Sequence, residues 1–486
     1  MNERAKSSMR RRTLRFFFIL VLLSVFLPGG AGGQDDALLK HPRDMKFPPL
    51  SFQLPKAART VLSNGMVVYL LENPELPLVR ISALIRTGSI QDPPNRSGLA
   101  RVTAAVMRNG GAEGRPFKEI NETLESLAAE VEFSMETESG SGYLFARKQD
   151  FRKVLPIFAD LLMWPTFDSA QLDLVKKAEI EAIRRQNDNP EEIAYREFRR
   201  ALYRGNPRGQ IPTVESIEKI QRDDLIVFHR RFFHPTTIYL GVSGDFKREE
   251  MIALLEKTFG SWDRSLIEIP SVAFPSPQEG KSIFYAPKDT PASTILLGHL
   301  SLPQSHPDYF PFKILNFILG GGGFNSRLTQ EIRSNQGLAY NVGSFYSGRV
   351  GYGVFGALCQ TKAESTHRVI SLLYEIIQGM KQNPPRAEEI DWAKNTLINQ
   401  FIFSFSSSAA VVGQQMRLEY DGLPEDYLEK YQERVGAVAA ADLQRAAREH
   451  LHPDQSVLMV VGKEEGFEKP LSSFGAVNRI ELKPAP

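Results

Sequence analysis

Gly320-Gly-Gly-Gly-Phe324-Asn325-Ser326-Arg327-Leu328-Thr-Gln-Glu-Ile332-Arg333-Ser-Asn-Gln-Gly337-Leu-Ala-Tyr340-Asn-Val-Gly343 is the most informative stretch of this 486-residue chain. Its glycines end an apolar helix, Asn325 is placed to cap the next, and Leu328 and Ile332 share that helix's buried face at i,i+4. Gly337 suits the left-handed turn that stops it. A strand follows, with Leu338, Tyr340 and Val342 expected on one side and Ala339, Asn341 and Gly343 on the other. Arg333, on the last helical turn, and Tyr340, just beyond it, are then expected to face one space. Five fixed guanidinium N–H groups and a phenol O–H suit a peptide carbonyl or an oxyanion. A structural reading also fits, with a helix-ending cation favoured by the dipole and a half-buried strand tyrosine. A phosphate loop fits less well, because no Gly-Lys-Ser/Thr follows the glycines.

The segment Gly322 to Tyr340, with its Phe-Asn-Ser-Arg-Leu, Glu-Ile-Arg and Gly-Leu-Ala-Tyr, resembles the C-terminal-domain signature of the pitrilysin/insulinase family of zinc peptidases. That family includes the mitochondrial processing peptidase. The resemblance implies that Arg333 and Tyr340 bind the substrate backbone and steady the tetrahedral intermediate formed at a zinc on a different domain. Gly322, Gly323, Phe324 and Asn325 would then lie along the substrate. It covers about Leu54 to Gly462 and implies an α+β fold, two homologous α/β-roll halves facing each other across a cleft.

The rest of the chain fits such an organisation. Helical and strand patterns occur together without regular βαβ alternation, which favours α+β over a doubly wound sheet. Arg230-Arg-Phe-Phe-His234-Pro235 through Gly244 matches Arg448-Glu-His-Leu-His452-Pro453 through Gly462 without a gap. Asp224 with Asp442 and Lys176 with Lys394 fall in the same register, a shared offset of 218 residues. Two homologous halves follow, far longer than solenoid units. The expected boundaries are residues 54–266 for the N-terminal half, a proline-dotted linker at 267–282, residues 283–465 for the C-terminal half, and a tail at 466–486.

At the N-terminus, Arg10, Arg11, Arg12 and Arg15 precede the apolar run Phe16 to Leu27 and a small-residue stretch to Gly33. That order marks residues 1–33 as a signal peptide, followed by a leader at 34–53, and implies a periplasmic or secreted protein with no stable membrane anchor. Without residues 1–33 the chain carries 53 basic and 56 acidic side chains, a net charge of about −3. No basic arm stands out, so nucleic acid is not an expected partner. Cys359 is the only cysteine, which excludes an internal disulfide.

In the family that this chain resembles, zinc is held by H-x-x-E-H on a helix of the first half, two His at i,i+4 reaching one metal. Here the matching positions are Arg101, Ala104 and Ala105. The third ligand, a Glu on a later helix, aligns with Ala182, although a one-residue shift would bring in Glu181. None of the eight histidines pairs with another at i,i+4, and His234 and His452 read as structural residues at helix-to-strand corners. No metal is therefore expected in this chain, and no G-x-S-x-G elbow offers another nucleophile. Some members of the family divide the work between two chains, one with zinc and one with Arg and Tyr. This chain resembles the second kind, so its expected partners are a homologous zinc-bearing peptidase subunit and a peptide substrate. The alternative is a non-catalytic peptide-binding or assembly protein of the same fold.

Overall fold

A computed structural model describes residues 53–264 and 268–482. The signal peptide and nearly all of the leader expected from the sequence lie outside these residues. Strands β1 (Ala58–Val61), β2 (Val67–Glu72), β3 (Leu78–Ile85), β4 (Glu130–Met135), β5 (Gly140–Arg147) and β6 (Ile238–Gly244) form one sheet. Its order is β1-β2-β6-β3-β5-β4. A second sheet, ordered β12-β7-β11-β8-β10-β9, contains β7 (Ser282–Pro287), β8 (Ala292–Ser301), β9 (Ala339–Gly348), β10 (Gly353–Lys362), β11 (Val457–Gly462) and β12 (Val477–Arg479). Apart from the outermost strand the two orders coincide, with β6 and β11 each parallel to one neighbour and antiparallel to the other.

The helices repeat in the same way. The first half carries α1 (Leu99–Asn109), α2 (Phe117–Leu127), α3 (Lys148–Met163), α4 (Ser169–Arg185), α5 (Pro190–Leu202), α6 (Val214–Glu218), α7 (Arg222–Phe232) and α8 (Arg248–Phe259). The second carries α9 (Tyr309–Asn316), α10 (Thr366–Gln382), α11 (Ala387–Phe403), α12 (Ser408–Tyr420), α13 (Tyr431–Ala437) and α14 (Ala440–His450). One face of each sheet buries a large apolar core under helices of its own half.

The opposite faces are covered by exchange. Ile193, Ala194, Phe198 and Leu202 of α5 pack on Leu296, Val457, Met459 and Val461 of the second sheet. Val412 and Met416 of α12 pack in turn on Tyr69 and Tyr239 of the first. Each half therefore completes the other's hydrophobic burial, and the halves meet as the two sides of one molecule.

The two segments expected outside the halves are both engaged. The stretch read as a tail supplies β12, which pairs in parallel with β7 and closes the second sheet's edge. The proline-dotted linker is anchored: Gln91 donates to the Pro270 carbonyl at 3.0 Å, and Asn206 and Arg208 donate to that of Ala273. Among the described residues no single helix is long and apolar enough to cross a membrane.

Candidate functional site

The glycine-rich stretch ends α9 through a wide turn, Phe317–Gly321, in which the Gly322 N–H reaches back to the Phe317 carbonyl at 2.8 Å. Such five-residue spacing is rare and recurs at functional sites. A side chain at Gly322 would overlap the Trp392 ring, so this glycine lets α11 close on the loop. Gly323, Phe324 and Asn325 form an exposed 3-10 turn. Among the described residues Asn325 caps nothing: the next helix begins at Arg327, after Ser326, whose extended backbone turns the chain and whose carbonyl accepts from Gln330 N–H. The helix is again widened over Thr329–Asn335, with Leu328 and Ile332 fully buried, and it stops at Gly337 with φ 64°.

Arg333 and Tyr340 are brought together. The guanidinium lies 4.8 Å from the Phe324 ring centroid and 5.5 Å from that of Tyr340, held between two exposed aromatic faces. Tyr340 is 83% exposed and Phe324 65%. Neither the guanidinium nor the phenol has a hydrogen-bond or ion-pair partner among the described residues, so their donors face solvent and are available to a ligand.

The expected alternation of β9 fails at this point. Asn341 pairs with Gln360 and Ala339 with Thr361, so Tyr340 is the extra residue of a β-bulge. Ala339 and Val342 point into the core while Tyr340 and Asn341 are both exposed. Leu338, Tyr340 and Val342 therefore do not share a side, and the bulge is what turns the phenol outward.

The positions of the absent metal motif lie on α1. Asp92 accepts the Gly98 and Ala100 N–H groups at 2.7 and 2.9 Å, anchoring the helix start. Burial pushes its carboxyl up to about 7, against the pull of those N–H groups and of Arg101. Arg101 is exposed and ion-paired with Glu179 of α4; Ala105 is half-buried and Ala104 fully buried. Ala182 lines the same cavity as Arg101. Glu181 faces away, paired with Arg184 at 2.7 Å. A guanidinium and methyl groups cannot replace two imidazoles and a carboxylate, so these residues do not fit zinc. Glu179, which sequence alignment passes over, is the carboxylate that reaches α1.

Arg333 and Tyr340 do not share a cavity with these positions. Tyr340 lines a recess with Asn189, Glu191 and Gly337, whereas Arg101 lines one with Arg199 and Phe345. Four histidines far apart in sequence also converge. The His299 and His452 rings lie 5.5 Å apart, and those of His306 and His450 5.2 Å. His306, Asp308 and His450 place their ligand atoms within 4.8 Å of one another. Asp308 is already engaged by Arg445 and by His450 Nε2 at 2.9 Å, which makes this group a brace between α9 and α14.

Comparison with known proteins agrees with both halves. Residues 67–212 match the family Insulinase (Peptidase family M16), and residues 219–397 match the Peptidase M16 inactive domain. An uncharacterized zinc protease, YmxG of Bacillus subtilis, is 24% identical over 72% of this chain and 85% of its own length. The non-peptidase homolog YmxG of Helicobacter pylori is 24% identical over 81% and 91%. The solved peptidase M16 inactive domain from Pseudomonas fluorescens has a TM-score of 0.79 at 25% identity, covering 86% of this chain and all of that one.

Proposed function

The chain belongs to the M16, or insulinase, peptidase family, and from that premise we propose that it is the non-zinc subunit of a two-chain peptidase, periplasmic or secreted. In this reading its partner is a homologous subunit that carries the zinc and the hydrolytic base, and its own part is to hold the substrate. The single observation that carries the proposal is the exposed pair Arg333 and Tyr340, with donors facing solvent, on a chain whose metal positions are Arg101, Ala104 and Ala105. The peptide lies along the exposed turn Gly322, Gly323, Phe324 and Asn325. The Arg333 fork and the Tyr340 hydroxyl donate to its scissile carbonyl, and continue to donate as charge develops on that oxygen.

Tyr340→Phe removes the hydroxyl and leaves the ring over Arg333. In the co-purified two-subunit enzyme, the variant should assemble with unchanged Tm and lose ~10²–10³ in kcat, the usual cost of one oxyanion donor. Wild-type kcat would instead favour the non-catalytic peptide-binding or assembly role.

A further inference from the structure

The cavity beside the former metal positions has become cationic. It measures about 560 Å³, sits where α1, α4 and α5 of the first half meet β9 and β10 of the second, and is lined by Arg101, Arg196, Arg199 and Arg349. Among the described residues no Asp or Glu lines it; most of its wall is apolar, including Phe198 and Phe345.

The four arginines are unequally committed. Arg196 is spent on Glu197, the Gln186 carbonyl and Asn187. Arg101 is paired with Glu179 but remains 47% exposed at its side chain. Arg349 lies 3.6 Å from Glu138, which Arg208 already binds at 2.7 Å. Among the described residues, Arg199 gives one N–H to the Gln210 carbonyl at 2.9 Å, and its buried Nε–H has no acceptor. Burial holds the Arg199 guanidinium below its ordinary range, and the charges of Arg101 and Arg200 add to the effect. Among the described residues no carboxylate is ion-paired with this guanidinium, and an anion against its cavity-facing edge supplies the charge partner it lacks.

The geometry points to a carboxylate-binding pocket at the position of the lost metal site, taking an apolar residue of a peptide in its wall and an adjacent carboxylate on Arg199, Arg101 and Arg349. Guanidinium groups suit this ligand because their forks match a carboxylate, and the apolar wall excludes a small, fully hydrated anion. The carboxylate belongs either to the peptide C-terminus or to an acidic side chain. The choice of a peptide rests on the function proposed above, whereas the arginine cluster does not depend on Arg333 or Tyr340.

The experiment uses the purified, unpartnered chain and a fluorescein-labelled octapeptide ending in Leu-Phe, read by fluorescence anisotropy. The free acid should bind, and its C-terminal amide should bind at least tenfold more weakly. An amidated peptide with Glu before the Phe tests the side-chain source, and its recovery of affinity would assign the carboxylate to that side chain. Arg199→Met should abolish the preference for a carboxylate. Because that variant removes a partly buried charge, Arg349→Ala at the rim is measured beside it and should weaken the acid peptide severalfold at unchanged Tm. In Tyr340→Phe the ratio of acid to amide affinity, whatever the affinity itself, should equal that of wild type, which separates this pocket from the catalytic role. Equal affinity for acid and amide, or no saturable binding of either, overturns the proposal.

Discussion

Arg327 and Arg333 lie six residues apart in one short helix, yet their charges are used in opposite ways. Arg327 sends two parallel N–H bonds, 2.8 and 2.9 Å long, to Glu389 of α11, and the pair brings that carboxyl down to about 2. Among the described residues Arg333 meets only ring faces. The quoted stretch contains both residues, but what separates them is a carboxylate 62 residues further on, which local spacing does not reveal. Arg327→Lys keeps the charge and loses the fork. Solvent partly screens the pair, so a cost of about 1–2 kcal/mol is expected, read as a lower urea midpoint at unchanged m. A depressed carboxylate stabilises the fold above its ordinary value of 4.5, and that contribution is lost as pH falls toward 2. The gap between wild type and variant should therefore close across that window. A gap that stays constant down to pH 2 would rule out the ion pair as its cause.

Among the elements, the extent of most helices and strands was legible because their periodicity and caps are local. The outward turn of Tyr340 was not, since a bulge is set by the partner strand, here at Gln360 and Thr361. The meeting of α3 with α7 was likewise hidden: His229 of α7 places Nε2 2.9 Å from the Leu162 carbonyl near the end of α3, deep in the core. On β8, His299 places Nδ1 2.7 Å from the Leu300 carbonyl and accepts the His452 N–H through Nε2. Burial pushes both imidazoles down to about 4 from 6.5. Between these values the unfolded chain binds more protons than the native one, so stability falls as pH drops from 6.5 to 4. Each histidine contributes at most about 3 kcal/mol to that loss. His229→Gln keeps a donor for Leu162 and cannot titrate, so its Tm should fall less than that of wild type over this range. Parallel Tm curves would show that His229 does not charge on unfolding.

At the scale of the whole molecule, the repeat read from the sequence extends to single hydrogen bonds. Lys176 donates to the Glu218 carbonyl and Lys394 to that of Gly436, while Gln221 N–H bonds Asp224 and Ala439 N–H bonds Asp442. The exchange of α5 and α12 between halves left only a faint trace, a glycine in the strand beneath each helix. A Cβ at Gly298 would meet the Phe198 ring at 2.9 Å. One at Gly241 would overlap Val412 and approach Met416 Sδ at 2.8 Å. Strand glycines ordinarily read as weak points, and here they mark where the other half's helix comes close. Gly298 also presses on the β10 backbone, so Gly241, whose nearest neighbours are side chains, gives the cleaner test. Gly241→Ala should lift α12 from the first sheet and cost about 1–3 kcal/mol as overpacking. Val412→Ala removes the overlapping methyl, so the double variant should be more stable than the sum of the two single losses allows. Strict additivity in urea unfolding would mean that α12 does not bear on Gly241, and the exchanged helices would then not be what couples the two halves.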